Sequence, residues 1–237
     1  MAEQNGMAAY KLTPTSPRKS TVLSLPGQYL KVLFNPTART FAMEAERARW
    51  GMVWFQIFIL VLIPFGLGLI RIFDRSLTSQ VATHSRFLYD ILVSFSFGAS
   101  IAALILRTII APLFFFVTVS LQFLLARIFG GVGRYVEQSY TTLLYQVPLA
   151  ILSSVLSTVV VFVQGLDLHF FNPLISFVLF AYGILLNVAM IKGVHSLTGG
   201  KSVLVVALYY IVLFLVVVGL LVLLTSLVVS AIRNIGR

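Results

Sequence analysis

The residues best equipped for chemistry lie in two short polar stretches of an otherwise apolar chain. Gly130-Gly131-Val132-Gly133 is flanked by Arg127 and Arg134. Successive amides of a glycine run form concavities that bind anions, here the phosphate of a lipid headgroup. The competing reading is a tight turn between two helices, with Gly130, Gly131 and Gly133 supplying positive φ. No strand precedes the run, so it is not a dinucleotide fingerprint. The second stretch holds Lys192, His195 and Lys201. Together with Arg127 and Arg134 they make a candidate contact surface for anionic lipid or a partner protein. Cations also flank membrane spans as a matter of topology, and the two roles are compatible.

Other polar residues sit inside apolar runs. Gln56, Gln122, Gln146 and Asn187 are amides suited to hydrogen bonding between helices, at about 0.6 kcal/mol each, or to lining a transport path. Arg107 interrupts a long apolar run. A charge at mid-bilayer costs about 2.5–3.5 kcal/mol on insertion scales, so an interfacial position with a snorkelling side chain is favoured over a pore. Catalytic groups are scarce. Asp and Glu total seven, and no two pair at helical spacing within a span. His84, His169 and His195 are scattered, and no Gly-x-Ser-x-Gly elbow occurs. With no cysteine there is no thiolate chemistry. No catalytic residue, metal or cofactor is expected.

The elements that must position these residues are membrane helices. Hydrophobic residues make up 59% of the chain and charged residues 10%, against roughly 25% charge in a soluble domain. The net charge of +10 would suggest nucleic acid in a soluble protein. Here the cations sit at the ends of apolar runs and in the N-terminal segment, so no nucleic-acid partner is expected. The predicted fold is an all-α, polytopic transmembrane helix bundle of about five spans, with an N-terminal amphipathic interfacial helix.

Residues 1–27 are rich in Ser, Thr, Pro and Lys and read as a disordered cytoplasmic tail. The membrane domain occupies 28–237. Asn35 as N-cap and Pro36 at the first helical position predict a surface helix over 36–49. Its apolar face would carry Ala38, Phe41, Ala42 and Ala45, with Glu44 and Arg47 turned away. Spans are predicted at 50–70, 108–126, 141–163, 174–191 and 202–232. Arg107 and Pro112 divide the stretch 87–129, so 87–106 reads as an interfacial or partly inserted helix. The alternative is a hairpin of two spans turning at Arg107. With five spans, eleven of the 17 Lys and Arg fall on the side of the N-terminus. That imbalance predicts a multi-pass protein of the cell membrane with its N-terminus in the cytoplasm. The first 49 residues hold no continuous apolar stretch of signal-peptide length, so the first apolar run reads as a retained span.

Four landmarks occur in order. Asn35-Pro36 precedes Glu46-Arg47-Ala48-Arg49-Trp50 at the first span. Leu124-Leu125-Ala126-Arg127-Ile128-Phe129 runs into the glycine cluster. Tyr140, Tyr145 and Pro148 enter the third span. Lys192-Gly193-Val194-His195-Ser196-Leu197-Thr198-Gly199-Gly200-Lys201 joins the last two. In this order, over about 28–232, they resemble the Yip family, also called the Yip-one domain. The chain lacks the long acidic-aromatic N-terminal region of many eukaryotic members and is more similar to prokaryotic ones. The resemblance implies five spans, a cytoplasmic N-terminus and no known catalytic centre. Eukaryotic members act in membrane traffic and associate with prenylated GTPases. The expected role is non-enzymatic: organising or shaping the bilayer and binding partner membrane proteins, peripheral proteins or a second copy of the chain. The rival is a small transporter or transporter subunit, its path lined by the amides and Arg107.

Overall fold

The computed structural model describes residues 22–79, 86–162 and 171–235. They form one short 3-10 turn, Val22–Ser24, and seven α-helices: α1 Leu25–Phe34, α2 Ala38–Ala45, α3 Trp50–Ser79, α4 Arg86–Ile128, α5 Tyr135–Phe162, α6 Phe171–His195 and α7 Gly199–Ile235. No strand occurs among the described residues. Without water to solvate the backbone, a helix is the one local structure that satisfies every amide within its own segment. Five helices carry a stretch long and apolar enough to cross a bilayer: Trp50–Ile70, Phe97–Ile128, Tyr135–Val159, Pro173–His195 and Gly199–Leu227. The all-α bundle of five spans stands as expected.

Several boundaries differ. The stretch 87–129 does not divide. Helix α4 runs unbroken through Arg107 and Pro112 for 43 residues, about 65 Å at 1.5 Å per residue. Neither a separate interfacial helix at 87–106 nor a hairpin at Arg107 is present. Pro112 removes only one rung, and apolar neighbours offer the backbone no better partner than the helix itself. Arg107 is exposed on the surface of α4.

At the N-terminus, residues 22–27, expected within an unstructured tail, are helical; residues 1–21 lie outside the described residues. Asn35 does not cap α2. Its N–H closes α1 on the Lys31 carbonyl at 2.9 Å, and Pro36 keeps it out of the helical region. The first residue free to cap is Thr37, whose hydroxyl accepts from the Thr40 N–H at 3.1 Å. Helix α2 is correspondingly short. Its inward face is Thr40, Phe41, Glu44 and Ala45, packed against α5 and α6. Glu44 is therefore turned inward, not away. Lys31 Nζ at 2.9 Å and Arg47 Nη1 at 3.1 Å neutralise its carboxylate there.

Helices α4 and α5, and α6 and α7, are joined by short connections at the same end as α1, α2 and the start of α3. This loop end carries the core. Phe41, Val53, Val119, Ala126, Leu143, Leu144, Leu186, Met190 and Val205 are buried there. Trp50 stacks near Tyr135 at 6.0 Å and Trp54 near Phe116 at 5.3 Å, both half exposed, as aromatic residues at a membrane interface are.

Candidate functional site at the loop end

The glycine cluster ends α4 and starts α5, and each glycine has its own reason. Gly130 adopts φ +88, the left-handed conformation that closes a helix most cheaply without a Cβ. Gly131 and Gly133 are needed for close approach. A Cβ on Gly131 would lie 2.8 Å from His195 Nδ1, and one on Gly133 would lie 2.7 Å from the Val194 carbonyl oxygen. Their open side is thus filled by the His195 ring and the end of α6, not left as a cradle for phosphate. The Val132 N–H donates to the His195 carbonyl at 3.3 Å and completes the junction. Gly193 works alike on the opposite side. A Cβ there would clash with the Ala38 carbonyl oxygen, so α2 sits directly on the α6 backbone.

His195 is buried, and this removes it from the set of surface cations. It leads a line of side chains through the bundle. Its Nε2 lies 2.8 Å from Gln138 Oε1. Gln138 Nε2 donates to Gln122 Oε1 at 3.3 Å, and Gln122 Nε2 to Asn187 Oδ1 at 2.7 Å. Each amide nitrogen faces an oxygen, so the protons point one way, from His195 towards Asn187. His195 then carries its proton on Nε2, while Nδ1, packed on the glycines, has no hydrogen-bond partner. The line joins α4, α5 and α6, and buried amides satisfied in this way hold helices in register. A second set ties α1 to the bundle: the Tyr140 hydroxyl donates to Gln28 Oε1 at 2.6 Å, and the Tyr182 hydroxyl donates to the Leu33 carbonyl. Burial, with a smaller push from Tyr140, holds the neighbouring Tyr29 phenol well above its ordinary pKa.

The four remaining predicted cations come together around this junction and are exposed. Arg127 donates to the Gly131 carbonyl at 3.3 Å and lies 5.1 Å from the Phe123 ring centroid. Lys201 donates to the Phe129 carbonyl at 3.3 Å. Arg134 pairs with Glu137 at 2.6 Å. Lys192 stands on the last turn of α6, beside Gly199. Among the described residues, no group of His, Asp and Glu side chains could hold a metal ion.

Deeper in the bundle, a cavity of about 210 Å³ opens between α4, α5, α6 and α7, lined among others by Gln122, Thr142, Gln146, Asn187, Tyr209 and Tyr210. Gln122, Gln146 and Asn187 stand out in the sequence as amides within apolar runs; Gln138, Thr142 and the tyrosine pair do not. The missed signal was periodic. Gln138, Thr142 and Gln146 recur every four residues and mark one polar stripe on an apolar helix. Gln56 lies elsewhere on α3, donating to the Met52 carbonyl at 3.3 Å.

Compared with known proteins, residues 30–221 match the family described as the Yip1 domain. Neither a curated protein nor a solved structure matches the chain.

Proposed function

The chain belongs to the Yip1-domain family, and from that premise we propose that it is a non-enzymatic, multi-pass protein of the cell membrane that organises the bilayer and holds partner proteins. In this reading the loop end faces the cytoplasm, where eleven of the 17 basic residues would lie. The observation that carries the proposal is the braced loop end itself. Glycine contacts, the His195 line and the docked α2 fix a platform that presents Arg127, Arg134, Lys192 and Lys201 outward. Such a surface suits anionic headgroups, at about 1 kcal/mol per cation near the membrane surface, or an acidic face on a partner. Arg134 contributes least, since Glu137 already offsets its charge.

The test is lipid selectivity in bilayers of phosphatidylcholine and phosphatidylglycerol. Spin-labelled phosphatidylglycerol should be enriched around the protein. The triple variant Arg127→Gln, Lys192→Gln, Lys201→Gln should lose that preference. Equal enrichment around both proteins would refute the role of the platform.

The transporter reading has one observation on its side, the gathering of Gln122, Gln146 and Asn187 at one cavity. Arg107 does not join them. It stands 15 residues before Gln122 on the same helix, about 22 Å away at 1.5 Å per residue. Solute flux in proteoliposomes that Arg107→Ala abolishes would restore that reading.

A further inference from the structure

The cavity has a second half. On its membrane side a groove of about 610 Å³ runs between α6 and α7, lined by apolar residues that include Ile184, Val188, Val206, Leu213, Phe214 and Val217. Its α7 wall recurs at 203, 206, 207, 210, 213, 214 and 217, which is one helical face. Phe180 and Tyr210 line both cavity and groove, their rings edge to face at 5.7 Å. Tyr210 and Asn187 both line the polar cavity. The two spaces therefore meet at one ring pair: hydrogen-bonding groups behind it, hydrocarbon surface in front.

We propose that cavity and groove together form a binding site for an uncharged membrane lipid with a hydroxyl and ester head, of the diacylglycerol type. Three observations select that class. None of the residues lining the cavity carries a charge, and a charged head placed there would give up its hydration with no counter-ion to replace it. The wall offers hydroxyls and amides, which donate to ester carbonyls and accept from a hydroxyl. One of them is unspent: Thr142 lines the cavity, is 1% exposed, and its hydroxyl has no hydrogen-bond partner. A buried unpaired hydroxyl costs about 1–3 kcal/mol, which a ligand at this position would relieve. A glycerol-sized head fits a space of about 210 Å³, and acyl chains match the groove and the bilayer beyond it. The site does not depend on the loop-end platform, whose ligands are anionic and outside the bundle.

The experiment uses the full-length protein in phosphatidylcholine nanodiscs and a diacylglycerol with a photoreactive group in its acyl chain. Labelling should saturate, map to α6 and α7 around 180–217, and be competed by unlabelled diacylglycerol but not by phosphatidylglycerol or glycerol. Thr142→Val keeps the volume and removes the unpaired hydroxyl, so it should weaken binding about fivefold, the worth of one hydrogen bond. Gly183→Leu should abolish the saturable component by filling the cavity, since Gly183 lines it and a first side-chain carbon there meets only Leu149, at 3.7 Å. Should that variant fail to fold, Thr142→Val decides alone. Labelling that rises without saturation, spreads over all the helices, is competed by glycerol, or ignores Thr142→Val would overturn the site.

Discussion

The two ends of the bundle are built on different terms. At the loop end, buried residues form one cluster drawn from all seven helices and include Gln28, Glu44, Gln122, Gln138, Asn187 and His195. At the far end, α7 from Phe214 to Leu224 exposes every large apolar side chain, with Leu215 at 61% and Val222 at 65%. Among the residues whose burial is described, the buried apolar residues of α3 stop at Ile57, those of α5 at Val147 and those of α7 at Val206. In hydrocarbon, a leucine gains little by trading lipid for another leucine, so apolar surface alone does not draw helices together. Where helices do meet closely, glycines and satisfied polar groups bring them there. The contrast teaches that the apolar runs place this chain in the membrane, while its few small and polar residues decide where it packs.

Substitutions that respect or break this contrast should rank accordingly in thermal unfolding in detergent. The largest effect belongs to Gly193→Val, which drives a side chain into the Ala38 backbone. It should cost about 3 kcal/mol or more, or prevent folding, whereas Gly219→Val, with nothing within 4 Å of its Cβ, should be nearly silent. Glu44→Ala comes next. It leaves Lys31 and Arg47 without their buried partner. Both cations reach solvent, so a loss of about 2 kcal/mol is expected rather than the full cost of a buried orphan charge. Asn187→Leu strands the Gln122 amide and should cost about 1–2 kcal/mol. Gly130→Ala meets no neighbour and should cost about 1 kcal/mol through its positive φ alone. The smallest effect is Leu221→Ala at the far end, within about 0.5 kcal/mol. A loss there as large as at Leu144 would break the comparison.

The membrane helices were legible because each apolar run is long enough to declare itself. What failed were inferences from a residue's type to its surroundings. Arg107 and Pro112 look like punctuation, but a polar residue ends a helix only where water can take over the backbone. The type of Glu44 points outward because carboxylates usually face water; the cation that holds it inward, Lys31, stands on another helix 13 residues earlier. His195 looks like a surface cation in the sequence because it closes a span. Its partner Gln138 lies 57 residues away in sequence, beyond any local pattern. Three glycines within four residues mark a special backbone site in the sequence, and Gly130 adopts a positive φ. That Gly131 and Gly133 make room for an imidazole is a tertiary fact with no local trace.

The absence of cysteine makes the central contrast directly measurable. Nitroxide labels at single introduced cysteines, scanned over 140–147 and 214–221 in nanodiscs, report contact with dissolved oxygen. The account predicts low oxygen contact and restricted motion at Leu143, Leu144 and Val147, and high contact at every position from 214 to 221. A repeating low-oxygen face within 214–221 would show a packed partner on that end of α7 and contradict it.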